Sequence, residues 1–147
     1  DMLNTVVRQI SFFTFERMVH NERMSGELTV DKINEIWIKT QTESLGSAIK
    51  INQDYKYLWA YIPHFIHSPF YVYAYAFGDC LVNSLYAKYE NGFTDFNNRY
   101  ISLLESGGTK NYKILLNGFD LDPEKKQFWQ NGLNLIKNLI DELEQLG

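Results

Sequence analysis

An all-α fold is predicted by three features of the 147-residue sequence. Apolar residues recur at helical spacing in successive segments, capping and turn residues separate those segments, and no stretch of strand length alternates apolar with polar. The expected architecture is about six helices, interrupted by a non-helical, proline-bracketed strip at 46–70 that leads into a tyrosine-rich helix. Residues 1–24 carry Met2, Leu3, Val6, Val7, Ile10, Phe13 and Val19, with Phe12 and Phe15 beside them. Such a wide apolar stripe describes a central helix covered on more than one side. Met24-Ser25-Gly26 ends it, and Thr29 or Asp31 can cap a second helix bearing Ile33, Ile36, Trp37 and Leu45, which makes a helical hairpin.

The helical period fails between Gly46 and Phe70. Asn52-Gln53-Asp54 is turn chemistry, the short aromatic turn Tyr55-Tyr57-Leu58-Trp59 follows, and Pro63 and Pro69 bracket His64-Phe65-Ile66-His67-Ser68. Each proline biases the residue before it away from helix, so the bracketed piece is expected to be extended and fixed. Helical spacing returns from Tyr71 to about Tyr89 and places Tyr71, Tyr75, Gly78, Val82, Tyr86 and Tyr89 within about 60° of one direction. Asn91-Gly92 closes that helix. Thr94 is the cap candidate for a helix through Leu103-Leu104 that Ser106-Gly107-Gly108 terminates, and Thr109 for a short helix through Leu116. Asp122-Pro123-Glu124 reads as an N-cap, a first-turn proline and an acid, opening an amphipathic helix that ends near Gly147.

Length and composition bound the function. The chain is one domain's worth, residues 1–147, and at this size folding buries roughly 70% of the unfolded surface. A 45% hydrophobic, 22% charged composition excludes a disordered chain. The net charge is −4 and no basic cluster is denser than Lys125-Lys126, so the footprint of a nucleic-acid binder is missing. No apolar run reaches the ~18 residues of a membrane span, and Asp1-Met2-Leu3-Asn4 lacks the regions of a signal peptide. Cys80 alone allows neither an intrachain disulfide nor a cysteine-rich zinc site. These observations together read as a cytoplasmic chain with no membrane association. The outlier is aromatic content, 16% with ten Tyr and ten Phe, which raises the prospect of a tyrosine-lined site.

Metal and nucleophile motifs are wanting. His20-Asn21-Glu22-Arg23-Met24 fails the His-Glu-x-x-His pattern, His64 and His67 have only Asp79 and Cys80 downstream as further ligands, and Ser106-Gly107-Gly108 is neither a nucleophile elbow nor a phosphate loop. Arg8 and Arg17, beside Gln9 and Glu16, read as ion-paired or hydrogen-bonded structural arginines, and Asp141-Glu142-Glu144 as a solvated face. What remains is His64, His67, Tyr71, Tyr73 and Tyr75, five polar-tipped groups straddling a proline-bent helix entry. Two readings of them are open. They are core aromatics capping helix contacts, or donors that hold a peptide backbone and a developing oxyanion. A helix cannot point Tyr71, Tyr73 and Tyr75 all inward.

The segment Ile62-Pro63-His64-Phe65-Ile66-His67-Ser68-Pro69-Phe70-Tyr71-Val72-Tyr73-Ala74-Tyr75-Ala76-Phe77-Gly78 closely resembles the one that follows the zinc site in oligoendopeptidase F, of the thimet oligopeptidase class of zinc metallopeptidases. Arg8-Gln9-Ile10 with Phe15-Glu16, Leu103-Leu104 with Ser106-Gly107-Gly108-Thr109-Lys110, and Gly118-Phe119-Asp120-Leu121 before Phe128-Trp129 resemble that family's C-terminal region in the same order. The family's zinc ligands, two His of His-Glu-x-x-His and a later Glu, all precede this region and are absent here. The resemblance therefore implies the C-terminal part of a peptidase catalytic domain, with an oligopeptide substrate and with zinc bound by residues outside this chain. A first residue, Asp1, that is not Met agrees with a fragment. It also implies His64, Tyr71 and Tyr75 as the catalytic groups that bind substrate backbone and oxyanion, with His67, Tyr73 and Gly78 as further substrate-binding positions. By itself the fragment is expected to be inert. It is also expected to self-associate through the aromatic faces of its first helix and of the Pro63–Tyr75 strip, with Phe12, Phe15 and Phe70 as candidates. The alternative is a stand-alone helical binding module whose strip Tyr55 to Tyr75 docks a partner helix or peptide. An upstream reading frame encoding His-Glu-x-x-His separates the two.

Overall fold

A computed structural model describes residues 2–147; Asp1 and the side chain of Leu3, which the apolar stripe of the first helix includes, lie outside the described residues. The fold is all-α: helices α1 Met2–Arg23, α2 Val30–Leu45, a 3₁₀ helix Gln53–Tyr61, α3 His64–His67, α4 Tyr73–Glu90, α5 Phe96–Ser106, α6 Tyr112–Asn117 and α7 Lys126–Leu146, with no strand among the described residues. No helix is long and apolar enough to cross a membrane among those residues. The chain divides into two compact units, residues 1–77 and 78–147.

In the first unit α1 and α2 pack as the expected hairpin. Thr29 caps α2 by accepting the Lys32 N–H at 3.2 Å. The core gathers Phe12, Phe15, Ile36, Trp37, Ile62 and Val72. Phe12 and Phe15 are thus buried in the unit's own centre and cannot form a contact between copies, contrary to the expectation for that face; Phe70 is exposed. The hairpin covers them because Trp37 stands edge-on to Phe15 at 5.1 Å and Phe65 reaches back to Phe12 and Phe15 at 5.5 and 5.0 Å. The indole N–H groups of buried Trp37 and half-buried Trp59 are both satisfied, Trp37 Nε1 donating to the Tyr55 carbonyl (2.9 Å) and Trp59 Nε1 to Asn34 Oδ1 (2.7 Å).

The strip at 46–70 is not devoid of helix. Asn52 accepts the Tyr55 N–H and starts the 3₁₀ helix, and the piece between the prolines, expected to be extended, is the one-turn helix α3. The physical reason is local. The restriction before proline acts on Ile62 and Ser68 alone, whose ψ values are 101° and 64°, while Pro63 itself sits at φ −64°, ψ −24° and opens a turn closed by His67 N–H to the Pro63 carbonyl (2.8 Å) and Ser68 N–H to the His64 carbonyl (3.0 Å).

The second unit centres on Cys80, Leu85, Leu116, Phe119, Leu121, Phe128 and Ile136. Phe119 lies against Phe93 and Phe96 (6.1 and 5.4 Å). Gly132 of α7 lets the backbone of α4 approach closely: a Cβ there would meet the Cys80 carbonyl oxygen at 2.9 Å, and nearby Ser84 Oγ donates to the Phe128 carbonyl (2.9 Å). Three caps differ from expectation. Asp95, at φ +60°, rather than Thr94, precedes α5, and Asn111 rather than Thr109 caps α6 by accepting the Lys113 N–H. Asp122 accepts the Glu124 N–H within a turn that Trp129 Nε1 ties down through the Pro123 carbonyl, so α7 begins only at Lys126. At α6 and α7 a short side chain satisfies a nearer turn before the helix starts, Thr109 Oγ1 donating to the Ser106 carbonyl and Asp122 accepting from Glu124, whereas Asp95 makes no side-chain cap bond.

Candidate functional site

Three of the residues singled out in the sequence meet in the first unit. Pro63 turns the chain into α3, which sends Phe65 into the core and leaves His64 at the surface side of the same turn. After Pro69 the chain bends at Phe70, whose φ of +61° is uncommon for a bulky residue, and Val72 then plugs the core with 0% exposure. Between these two points Tyr71 turns outward, and Tyr75, one helical turn on, shares its side. His64 Nε2 and Tyr75 Oη are 3.0 Å apart. The His64 and Tyr71 rings stack nearly parallel (6.2 Å, 6°), and Tyr75 meets each edge-on at 5.6 Å. Tyr71 is 53% and Tyr75 40% exposed, so the cluster is an open patch of donors and not a core packing element.

The remaining candidates lie elsewhere. Tyr73 is exposed with its ring toward Phe13 of α1 at 5.9 Å, and His67 is exposed on α3, with no ring contact to the cluster among the described residues. Gly78 opens the second unit, and a Cβ on it would meet nothing within 4 Å. The arginines are not paired as expected: among the described residues no ion pair involves Arg8 or Arg17, and Arg8 sits over the Phe12 ring at 5.0 Å. Glu16, read as a partner for Arg17, is instead 2% exposed and accepts the Phe70 N–H at 2.8 Å through Oε1. Its signal in the sequence is an acid embedded in an apolar stripe.

The chemistry open to this patch is donation. Nothing among the described residues groups three or more His, Cys, Asp or Glu so as to hold a metal ion, so the residues present do not fit a zinc site. Cys80 is buried, and burial first, then the Asp79 carboxylate, push its thiol above the usual range, which disfavours the thiolate a nucleophile needs. The His64–Tyr75 pair can work in one useful sense: with the proton on Nε2, His64 donates to the Tyr75 oxygen and leaves the tyrosine proton free to point outward. Charge drawn along that bond makes the hydroxyl a better donor.

A surface that offers oriented hydroxyl donors beside an imidazole has the chemistry to hydrogen-bond a carbonyl oxygen or an oxyanion. The family model for peptidase family M3 matches residues 2–135, and the chain belongs to that family. It is 31% identical over 143 residues to the plasmid-encoded oligoendopeptidase F of Lactococcus lactis subsp. cremoris, and 32% identical over 148 residues to an oligoendopeptidase F homolog of Borreliella burgdorferi, which covers 97% and 99% of this chain respectively. Oligopeptidase PepF of Bacillus subtilis is 26% identical over 143 residues, 97% of this chain. The chain spans about a quarter of the length of these relatives, 24%, 25% and 21%. No solved structure matches it.

Proposed function

We propose that residues 1–147 form the C-terminal part of the catalytic domain of a zinc-dependent oligoendopeptidase that cleaves short peptides. In this reading the zinc ligands and the general-base glutamate lie outside this chain. His64, Tyr71 and Tyr75 bind the substrate backbone and its developing oxyanion, with His67, Tyr73 and Gly78 as more distant substrate contacts. The observation that carries it is the convergence of His64, Tyr71 and Tyr75 into one exposed, mutually oriented cluster. Family membership and relatives named as oligoendopeptidases support it.

The role of each group follows from its environment. Tyr75 donates its hydroxyl proton outward when His64 donates to it from Nε2, and Tyr71, stacked on His64, fixes the plane of the imidazole and supplies a second hydroxyl. Donors already oriented where negative charge develops need no reorganisation during the reaction, and removing one costs about 10²–10³ in kcat. Tyr71→Phe and Tyr75→Phe in the full-length peptidase are therefore expected to lower kcat by about that factor while leaving the zinc content unchanged. Wild-type kcat in both variants would remove these hydroxyls from the mechanism.

A further inference from the structure

We infer that Glu16 is a positioning residue for this site: from α1 it holds the strained Phe70 bend that aims Tyr71 at His64. The inference rests on the proposed role of the His64/Tyr71/Tyr75 cluster. Glu16 is 2% exposed, Oε1 accepts the Phe70 N–H at 2.8 Å, and Oε2 is buried with no hydrogen-bond partner. A buried carboxylate with one oxygen unsatisfied and no ion pair among the described residues is a costly way to stabilise a helix face, where methionine or leucine would pack without that penalty. What the carboxylate does accomplish is specific. It bonds a backbone donor 54 residues away, at a non-glycine residue held at φ +61°.

Such backbone conformations are strained and persist only where their surroundings enforce them. Here the enforcement is visible on both sides of the residue: Glu16 on its N–H, the His20 ring at 4.6 Å from its own ring, and the buried Val72 two positions on. Tyr71 lies between these anchors, and its N–H bonds the Ser68 carbonyl at 3.1 Å. Relaxing φ at Phe70 to the ordinary negative range would redirect the chain at Tyr71 and break the 6° stacking of its ring on His64.

The test uses the full-length peptidase and substitutions that separate the acceptor from the volume. Glu16→Met keeps the volume and loses the acceptor; it is expected to lower kcat by about 10–100-fold with KM within about threefold, because a misplaced oxyanion donor is felt in the transition state. Glu16→Gln keeps an acceptor oxygen and should stay within about threefold of wild type. Hydrogen exchange of the 68–72 segment should speed up in Glu16→Met and not in Glu16→Gln. Phe70→Pro, at an exposed position, removes the donor and forbids positive φ, so it should reproduce the kcat loss even if Glu16→Met fails to fold. Wild-type kcat in Phe70→Pro, or equal damage from Gln and Met at position 16, overturns the inference. If Tyr71→Phe and Tyr75→Phe are themselves silent, the reading of the site fails, and the exchange measurement still decides whether Glu16 holds the bend.

Discussion

Val72 sets the direction of its neighbours. With no exposed surface, it anchors the chain between the Phe70 bend and α4, and for that reason Tyr71 can project outward while Tyr73 turns toward Phe13. Truncating it to alanine removes two buried methyl groups and leaves a cavity beside Phe12 and Trp37's cluster, so Val72→Ala is expected to destabilise the protein by about 2 kcal/mol in urea denaturation. A change below about 0.5 kcal/mol would mean the site relaxes around the loss and Val72 is no anchor. The sequence makes this divergence of the tyrosines legible, since helical spacing cannot turn Tyr71, Tyr73 and Tyr75 to one side. Glu16 is not legible in the same way. Its neighbour Arg17 offers an obvious charge partner, whereas the true one is a backbone N–H 54 residues on, which no local pattern encodes.

Helices reveal their existence in the sequence better than their ends, because an apolar period is spread over many residues and a cap rests on one or two. Thr29 caps α2 as its position suggests, but Asp122 spends its carboxylate on the turn before α7, and the prolines at 63 and 69 permit a full helical turn between them. Gly132 carries an element-scale consequence that spacing alone conceals. On propensity, glycine to alanine in the middle of α7 should gain up to ~1 kcal/mol. The Cys80 carbonyl oxygen and Cα, at 2.9 and 3.1 Å from the new Cβ, are backbone atoms of α4 and cannot rotate away. Separation of the two helices should outweigh the gain, giving a net loss of about 1–3 kcal/mol for Gly132→Ala. A higher midpoint of denaturation in that variant would show that the helices are not in such close contact.

At the scale of the molecule, the family match runs through both compact units, from residue 2 to 135, yet the groups with evident chemistry lie in one patch of the first. That patch offers hydrogen-bond donors and little else. Oriented donors are worth about 10²–10³ each, far short of the 10⁶-fold or greater acceleration typical of enzymes, and they generate no nucleophile. Cys80 does not fill that gap, being buried with its thiol pushed up, and the three histidines are dispersed: His20 against Phe70, His64 on Tyr75, His67 on the outer side of α3. The 147-residue chain by itself is therefore expected to cleave no peptide and to retain no stoichiometric zinc after dialysis at micromolar metal, while the full-length peptidase does both. Metal analysis and a fluorogenic peptide assay, run side by side on the two proteins, make the comparison. Chelator-sensitive cleavage by the short chain would place a complete metal site within residues 1–147 and overturn the proposed division of labour, in which this segment binds the peptide and the remainder of the domain attacks it.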